Sequence, residues 1–189
     1  MLSFQEDIEQ CLQVLQTGGL ILYPTDTVWG IGCDATNEQA VEKIYALKQR
    51  KATQSMIVLV ASEREVLQYA SQPDLEVFEY LKTTQKPTTV IYEGAIGLAD
   101  NILAEDGSVG MRICDDEFCK TLIKRFRKPI VSTSANISGR STPAYFNDIE
   151  IEIVNGVDYV AEHRRNDHSS HSPSSVIKWN NGELTVIRP

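Results

Sequence analysis

Small polar and cationic side chains recur at one kind of position in this 189-residue chain, at the ends of short apolar runs. Thr25, Asp26 and Thr27 follow Leu20–Tyr23, and Ser132, Ser134, Asn136 and Ser138 follow Ile130-Val131. Lys48 and Arg50 close an amphipathic segment, Ser174 and Ser175 precede Val176-Ile177, Arg112 lies within Val109–Ile113, and Arg188 ends the final apolar run. Guanidinium groups grip carboxylate or phosphate oxygens in pairs, an ammonium adds a point charge, and hydroxyls and amides serve the remaining oxygens. Such a set suits a polyphosphate or a carboxylate. The chain has no G-x-x-x-x-G-K-[ST], no G-x-G-x-x-G and no G-x-S-x-G. A P-loop ATPase, a dinucleotide-binding oxidoreductase and an α/β-hydrolase therefore lack their usual sequence support. His163, His168 and His171 share the stretch HRRNDHSSH. It reads as a hydrated loop rather than a metal site, because no flanking element fixes the ligand spacing.

The elements that must carry these groups follow from periodicity and punctuation. Ser3-x-x-Glu6 is a capping box, and Phe4, Ile8, Cys11, Leu12 and Leu15 recur at helical spacing until Gly18-Gly19. Leu20–Tyr23 has the length of a buried strand and stops at Pro24, which offers no ladder donor. Gly30 and Gly32, after Trp29, are expected to turn the backbone or admit close approach. Taken alone, this stretch fits a capped turn as well as a site. Thr36-x-x-Gln39 predicts the start of a helix with Ala40, Val41, Ile44 and Leu47 inward, which delivers Lys48 and Arg50 at its end. Met56–Val60, Thr88–Tyr92, Val109–Ile113 and Pro129–Val131 read as strands, and Glu93–Gly107 as loop with a short helical turn. Between them, Ser62, Pro73 and Asp115 are expected to open helices, the second with Leu75, Phe78 and Leu81 inward. The third helix ends in Lys124, Arg125, Arg127 and Lys128, a solvated face. Phe146–Val154 reads as a helix and Val157–Ala161 as a strand, followed by a polar loop over 162–172. A hairpin around Asn180-Asn181-Gly182 closes the chain. Alternating strands and helices with a terminal hairpin predict an α/β fold, a single layered domain over residues 1–189 with a twisted mixed β-sheet flanked by helices.

Composition limits the function classes. Hydrophobic content of 42% with 23% charged residues is that of a globular protein able to bury a core. The acidic N-terminus lacks the apolar run of a signal peptide and no stretch reaches the length of a membrane span, so a cytoplasmic protein is expected. Cys11, Cys33, Cys114 and Cys119 form no C-x-x-C and are expected as reduced thiols. A net charge of −8 argues against wrapping nucleic acid, though Lys48-Gln49-Arg50-Lys51 could line a local basic groove.

Seven segments, in order, resemble one family. They are YPTDTVWGIGCDA at Tyr23–Ala35, the K-x-R of Lys48 and Arg50, KPTTVIY at Lys86–Tyr92, VGMRI at Val109–Ile113, PIVSTSANISG at Pro129–Gly139, PSSVI at Pro173–Ile177 and VIRP at Val186–Pro189. This combination is similar to the YrdC/TsaC family, the threonylcarbamoyl-AMP synthases. Two places depart from the family pattern. Lys51 and Ser55-Met56 stand where that family usually has proline and Pro-Leu, and Pro87 alone remains of a P-G-P.

The resemblance implies a fold, a reaction and a set of roles. The reaction joins L-threonine, bicarbonate and ATP to give threonylcarbamoyl-AMP and pyrophosphate. Mg²⁺ would bridge phosphates with few dedicated protein ligands, and no metal-ligating residue is assigned. A tRNA threonylcarbamoyl transferase would take the product, with tRNA or RNA contact by this chain left open and no membrane partner. On this resemblance Thr27, Arg112 and Ser174 would receive threonine, while Lys48, Arg50, Ser108, Ser132, Ser134, Asn136 and Arg188 would receive the nucleotide. Lys48 and Arg50 would also carry the catalytic charge. The chain resembles the short form of the family, so closure over the intermediate would fall to the 162–172 loop. An RNA-binding protein of the same fold, or a paralogue with another carbamoyl or nucleotide substrate, is the competing expectation.

Overall fold

The computed structural model describes residues 2–51, 56–169, 171–180 and 182–189. Ser55 and Asn181, singled out above, lie outside the described residues. The strands are β1 (Ile21–Tyr23), β2 (Gly30–Gly32), β3 (Ile57–Val60), β4 (Thr88–Tyr92), β5 (Val109–Ile113), β6 (Ile130–Ser134), β7 (Tyr159–Val160), β8 (Ser175–Asn180) and β9 (Glu183–Arg188). They form one sheet in the order β7-β1-β2-β6-β3-β5-β4-β8-β9. Pairs β1–β7, β3–β5 and β4–β8 are parallel and the others antiparallel, the mixed sheet expected from the sequence.

Helices cover the two faces unequally. On one face α2 (Glu38–Lys48), α3 (Glu63–Tyr69), α4 (Glu76–Thr83) and α6 (Ile151–Gly156) contribute Ile44, Val66, Phe78 and Ile153 to a core with Leu22, Val58, Val90, Met111 and Ile177. On the other, α1 (Phe4–Gln16) and α5 (Glu117–Phe126) pack Ile8, Leu12, Phe118 and Leu122 against Ile21, Leu59 and Ile130. Successive side chains of a strand alternate between faces, so residues two apart share one. Along β6, Ile130 is therefore apolar beneath α1 and α5, while Ser132 and Ser134 on the same face lie beyond them. Along β5, Gly110 and Arg112 precede the buried Cys114 in the same way. The uncovered part of this face is where the polar groups collect.

Local chemistry explains most element ends and corrects several expectations. The Ser3/Glu6 box caps α1 as read. Helix α2 is capped by Asn37, not Thr36, because Asp34 already takes the Thr36 hydroxyl and amide at 2.6 and 2.8 Å. Helix α5 is capped by Asp116, since Asp115 is drawn to Lys120 at 2.5 Å. Pro73 does not open α4; the helix starts at Glu76 with Asp74 accepting from its amide, and Leu75 is left exposed. The segment 146–154 divides into a 3-10 turn at Phe146–Asp148 and α6. Gly30 and Gly32 are not turn residues but form strand β2. The requirement at Gly32 is space: a Cβ there would lie 2.6 Å from Tyr23 Cε1 and 2.9 Å from the Val131 carbonyl.

The 162–172 loop is pinned rather than merely hydrated. Buried Asp7 accepts from the Tyr159 hydroxyl at 2.7 Å and from the amides of Glu162 and His163 at 3.0 and 2.7 Å. His163 stacks on Phe118 with ring centroids 5.1 Å apart, whereas His168 meets Tyr145 edge-on. His171 lies instead 3.1 Å from Arg164 Nη2, so the three histidines have separate partners, and the described residues contain no group of three or more His, Cys, Asp and Glu that could hold a metal ion. All four cysteines are free and buried.

Candidate functional site

The uncovered sheet face floors a cavity of about 430 Å³. Its floor comes from β5, β4, β6 and β8, and its rim from the Thr27–Gly30 turn, Arg50 and the end of β9. Three guanidinium groups, Arg50, Arg112 and Arg188, line this one space in a chain of net charge −8. Arg188 has its pKa lowered first by burial and then by the positive charge of Arg112, so the two cations feel each other across the cavity. Burial likewise lowers Arg50. Cations crowded out of water in this way gain most from an anionic ligand.

Arg112 forms the deepest part. It is 4% exposed, and its Nη2 donates to Asp26 Oδ1 at 2.9 Å and to Thr27 Oγ1 at 3.2 Å. The Thr25 hydroxyl donates to the Val28 carbonyl at 2.7 Å and accepts from the Thr27 amide at 3.0 Å. Its proton being spent there, the 3.0 Å contact between the two threonine hydroxyls has Thr27 as donor. A directed chain results, running from Arg112 through Thr27 and Thr25 to the Val28 carbonyl. It fixes the Thr27 hydroxyl and leaves it one lone pair. The Arg112 Nε is buried without a partner among the described residues, an unmet donor in a pocket wall.

Opposite stands the Ser174 group. The Ser174 and Thr89 hydroxyls bond at 2.9 Å, and Arg188 donates to the Ser174 carbonyl from Nε at 3.1 Å and Nη2 at 2.8 Å. A bulge aims this arginine. Ile177 pairs with Val186, but Val176 pairs with Arg188, so Ile187 is an extra residue. Two residues opposing one bend the strand and re-aim its side chains. Ile187 and Arg188 both line the cavity as a result.

Lys48 and Arg50 diverge. Gln49 caps α2 with φ 50°, a left-handed conformation that costs a non-glycine residue about 1–2 kcal/mol. Reversal there carries Arg50 into the cavity wall, where it donates to Thr133 Oγ1 at 3.3 Å. Lys48 instead is 1% exposed; its ammonium donates to the carbonyls of Ser134 and of Asn136, the latter at 2.6 Å. Burial, and secondarily Arg50, lower its pKa to about 8. Asn136 is also turned inward, its amide donating to the carbonyls of Ile137 and Arg140.

The residues expected from sequence thus fall into two sets. Thr27, Arg112 and Ser174, with Arg50, Ser108, Ser132, Ser134 and Arg188, share the cavity. Lys48 and Asn136 stand behind its wall and shape the strand end. Sequence reading did not single out Thr89, the partner of Ser174, nor Asp26 as the counter-ion of Arg112. Alternation in TTVIY places Thr89 and Ile91 on one face and was the signal available for the first. A larger cavity of about 1030 Å³ adjoins, with Asp26, Thr88 and Ile113 in its wall. Its lining mixes Arg64, Lys82 and Lys86 with Glu63, Asp115 and Asp116. The convergence of three arginines favours the smaller space as the site.

The chain is similar to known proteins along most of its length. The Sua5/YciO/YrdC family model, described as "Telomere recombination", matches residues 13–189. A protein of Methanocaldococcus jannaschii named putative threonylcarbamoyl-AMP synthase is 32% identical over 188 residues, covering 97% of this chain and 87% of its own. The threonylcarbamoyl-AMP synthase of Vibrio campbellii is 31% identical over 174 residues, covering 90% and 93%. Among solved structures, P. abyssi Sua5 complexed with L-threonine superposes with a TM-score of 0.87 at 23% identity. The match covers all of this chain, which spans about half, 55%, of that Sua5 chain. MTH1692 of Methanobacterium thermoautotrophicum gives 0.71 at 28% identity over 96% and 85% of the two chains. Among the described residues no helix is long and apolar enough to cross a membrane.

Proposed function

We propose that this chain, which belongs to the Sua5/YciO/YrdC family, is a threonylcarbamoyl-AMP synthase that condenses L-threonine, bicarbonate and ATP into threonylcarbamoyl-AMP, pyrophosphate and water. The observation that carries the reading is the convergence of Arg50, Arg112 and Arg188 on one hydroxyl-lined cavity. The reaction brings a carboxylate and a triphosphate together, and guanidiniums beside hydroxyls match the anionic oxygens of both. The names of the archaeal and vibrio relatives support the same assignment.

In this scheme Arg112 takes the threonine carboxylate, with Thr27 and Ser174 facing its hydroxyl and amine. Arg50 and Arg188 take the phosphates, and Ser108, Ser132 and Ser134 serve the remaining oxygens. The amine of threonine attacks the carbon of bicarbonate, or of the CO₂ that bicarbonate yields; the C–O bond to the departing water breaks, the amine gives up its proton, and a carbamate results. A carbamate oxygen then attacks the α-phosphorus, and the bond to pyrophosphate breaks. No covalent bond to the enzyme is required, so the protein acts by positioning and by charge. Lys48 contributes by fixing the Ser134–Asn136 backbone and by adding positive charge behind it. Asp26 is engaged by Arg112, and among the described residues the cavity lining holds no carboxylate. When bound, Mg²⁺ would supply charge neutralisation at the phosphates, and Arg50 and Arg188 remain the protein groups assigned to them. A nucleotidyltransferase of this kind hands an activated carbamoyl group to a separate transferase acting on tRNA.

The decisive assay is pyrophosphate release from ATP with and without L-threonine and bicarbonate. Release should require all three. Release that ignores threonine refutes the assignment, and salt-sensitive RNA binding without ATP binding would favour the RNA-binding alternative.

A further inference from the structure

One residue of the 162–172 loop reaches toward the amino-acid end of the cavity. Arg164 has φ +61°, a left-handed backbone that an L side chain keeps only when its surroundings hold it there. Its Nη1 donates to the Thr25 carbonyl at 3.1 Å and to Asp116 Oδ2 at 3.0 Å. Nε donates to Asp167 at 3.1 Å, and Nη2 lies 3.1 Å from His171 Nε2. The footing is firm. The other carboxylate oxygen of Asp116 caps α5 through the Cys119 amide at 2.9 Å. Asp167 is held well below the usual carboxylate range by the hydroxyl and amide of Ser169, and then by Arg164 itself.

Thr25 is the hinge of the argument. Its carbonyl is clamped by Arg164, while its hydroxyl organises Thr27 and Val28. The next two residues, Asp26 and Thr27, are the ones that hold Arg112 Nη2. The clamp and the grip on Arg112 therefore sit on successive peptide units, which are planar and stiff.

We infer that Arg164 is a positioning residue for the amino-acid substrate: by fixing the Thr25 carbonyl it sets the turn from which Asp26 and Thr27 aim Arg112. The inference rests on the reading of Arg112 as the carboxylate-binding group. Arg164 lines the adjoining larger cavity and not the arginine-lined one, so its link to the threonine end runs through the Thr25 carbonyl. Releasing the turn loosens the threonine end and leaves the phosphate end, built from Arg50 and Arg188, in place.

Calorimetric titration of the full chain with L-threonine and, separately, with ATP tests this. In Arg164→Ala the dissociation constant for threonine should rise roughly tenfold while that for ATP stays within about twofold. Arg164→Lys keeps the charge but cannot span Thr25 and Asp116 together, so it should recover little of the loss. An unchanged threonine constant in folded Arg164→Ala, or equal weakening toward both ligands, overturns the inference. Should that variant fail to fold, Asp116→Asn preserves the Oδ1 cap of α5 and removes the acceptor facing Arg164. It should weaken threonine binding several-fold by the same route, and unaltered binding would again overturn the inference. A wild-type chain that binds no threonine refutes the proposed activity and this inference with it. Equal binding by wild type and Arg164→Ala refutes the inference alone.

Discussion

Lys48→Met replaces a buried ammonium by an uncharged side chain of similar length, and two opposing effects set its stability. The Ser134 carbonyl also accepts from the Asn136 amide at 2.9 Å. The variant therefore orphans one acceptor among the described residues, the Asn136 carbonyl, at a cost of about 1–3 kcal/mol. Against this, burial lowers the Lys48 pKa from 10.5 to about 8, so at neutral pH the charged side chain costs the fold about 3 kcal/mol. The two effects offset, and the variant should remain within about 2 kcal/mol of wild type at pH 7. The pH dependence is the sharper test. Below about pH 8 Lys48 is protonated in both folded and unfolded chains, and the full penalty applies. Between about 8 and 10.5 the unfolded chain binds more protons than the folded one, so stability rises with pH. Above that range the side chain is neutral in both states and the penalty is gone. Urea unfolding followed by circular dichroism, wild type against variant, cancels other titrating groups. The difference should shift by about 3 kcal/mol in favour of wild type as pH rises through this window. Threonine-dependent pyrophosphate release should move the opposite way in wild type, falling above pH 8 as the charge is lost. A stability difference that stays flat with pH refutes the reasoning, as does a loss beyond about 5 kcal/mol at pH 7, which would mark an indispensable buried ion.

Arg112→Lys should raise the KM for L-threonine about 10- to 100-fold with a smaller effect on ATP, because one ammonium cannot serve Asp26, Thr27 and a ligand carboxylate at once; steady-state kinetics with each substrate varied will show it. Gly32→Ala would drive a Cβ to 2.6 Å from Tyr23 and 2.9 Å from the Val131 carbonyl. It should cost about 2–3 kcal/mol in urea unfolding, since a buried ring and a strand carbonyl have nowhere to move. Asp7→Asn removes one acceptor from a carboxylate serving Tyr159, Glu162 and His163. Thermal melting should reveal a loss of about 1–3 kcal/mol.

Much of this protein follows from its order of residues. Capping boxes, apolar periodicity and prolines place most helices and strands, because those signals act over a few residues and need no partner. The run Thr25–Thr27, the arginines and the seryl clusters stand out as candidates for anion binding because their chemistry is intrinsic to the side chains. Tertiary structure decided the rest. Whether Thr36 or Asn37 caps α2 turns on Asp34, which engages Thr36 with one carboxylate oxygen while distant Lys128 holds the other. That Gly30 and Gly32 form a strand is set by pairing with β1, and of Gly30 with Ser134 of β6. Lys48 and Arg50 are two residues apart with similar charge, yet one faces the Ser134 and Asn136 carbonyls and the other the cavity, because Gln49 between them takes a left-handed turn. Arg188 reaches the site through a bulge that no local pattern encodes. Side-chain chemistry is written in the sequence; its aim depends on cross-strand register, packing and competition for partners, which exist only once distant segments meet.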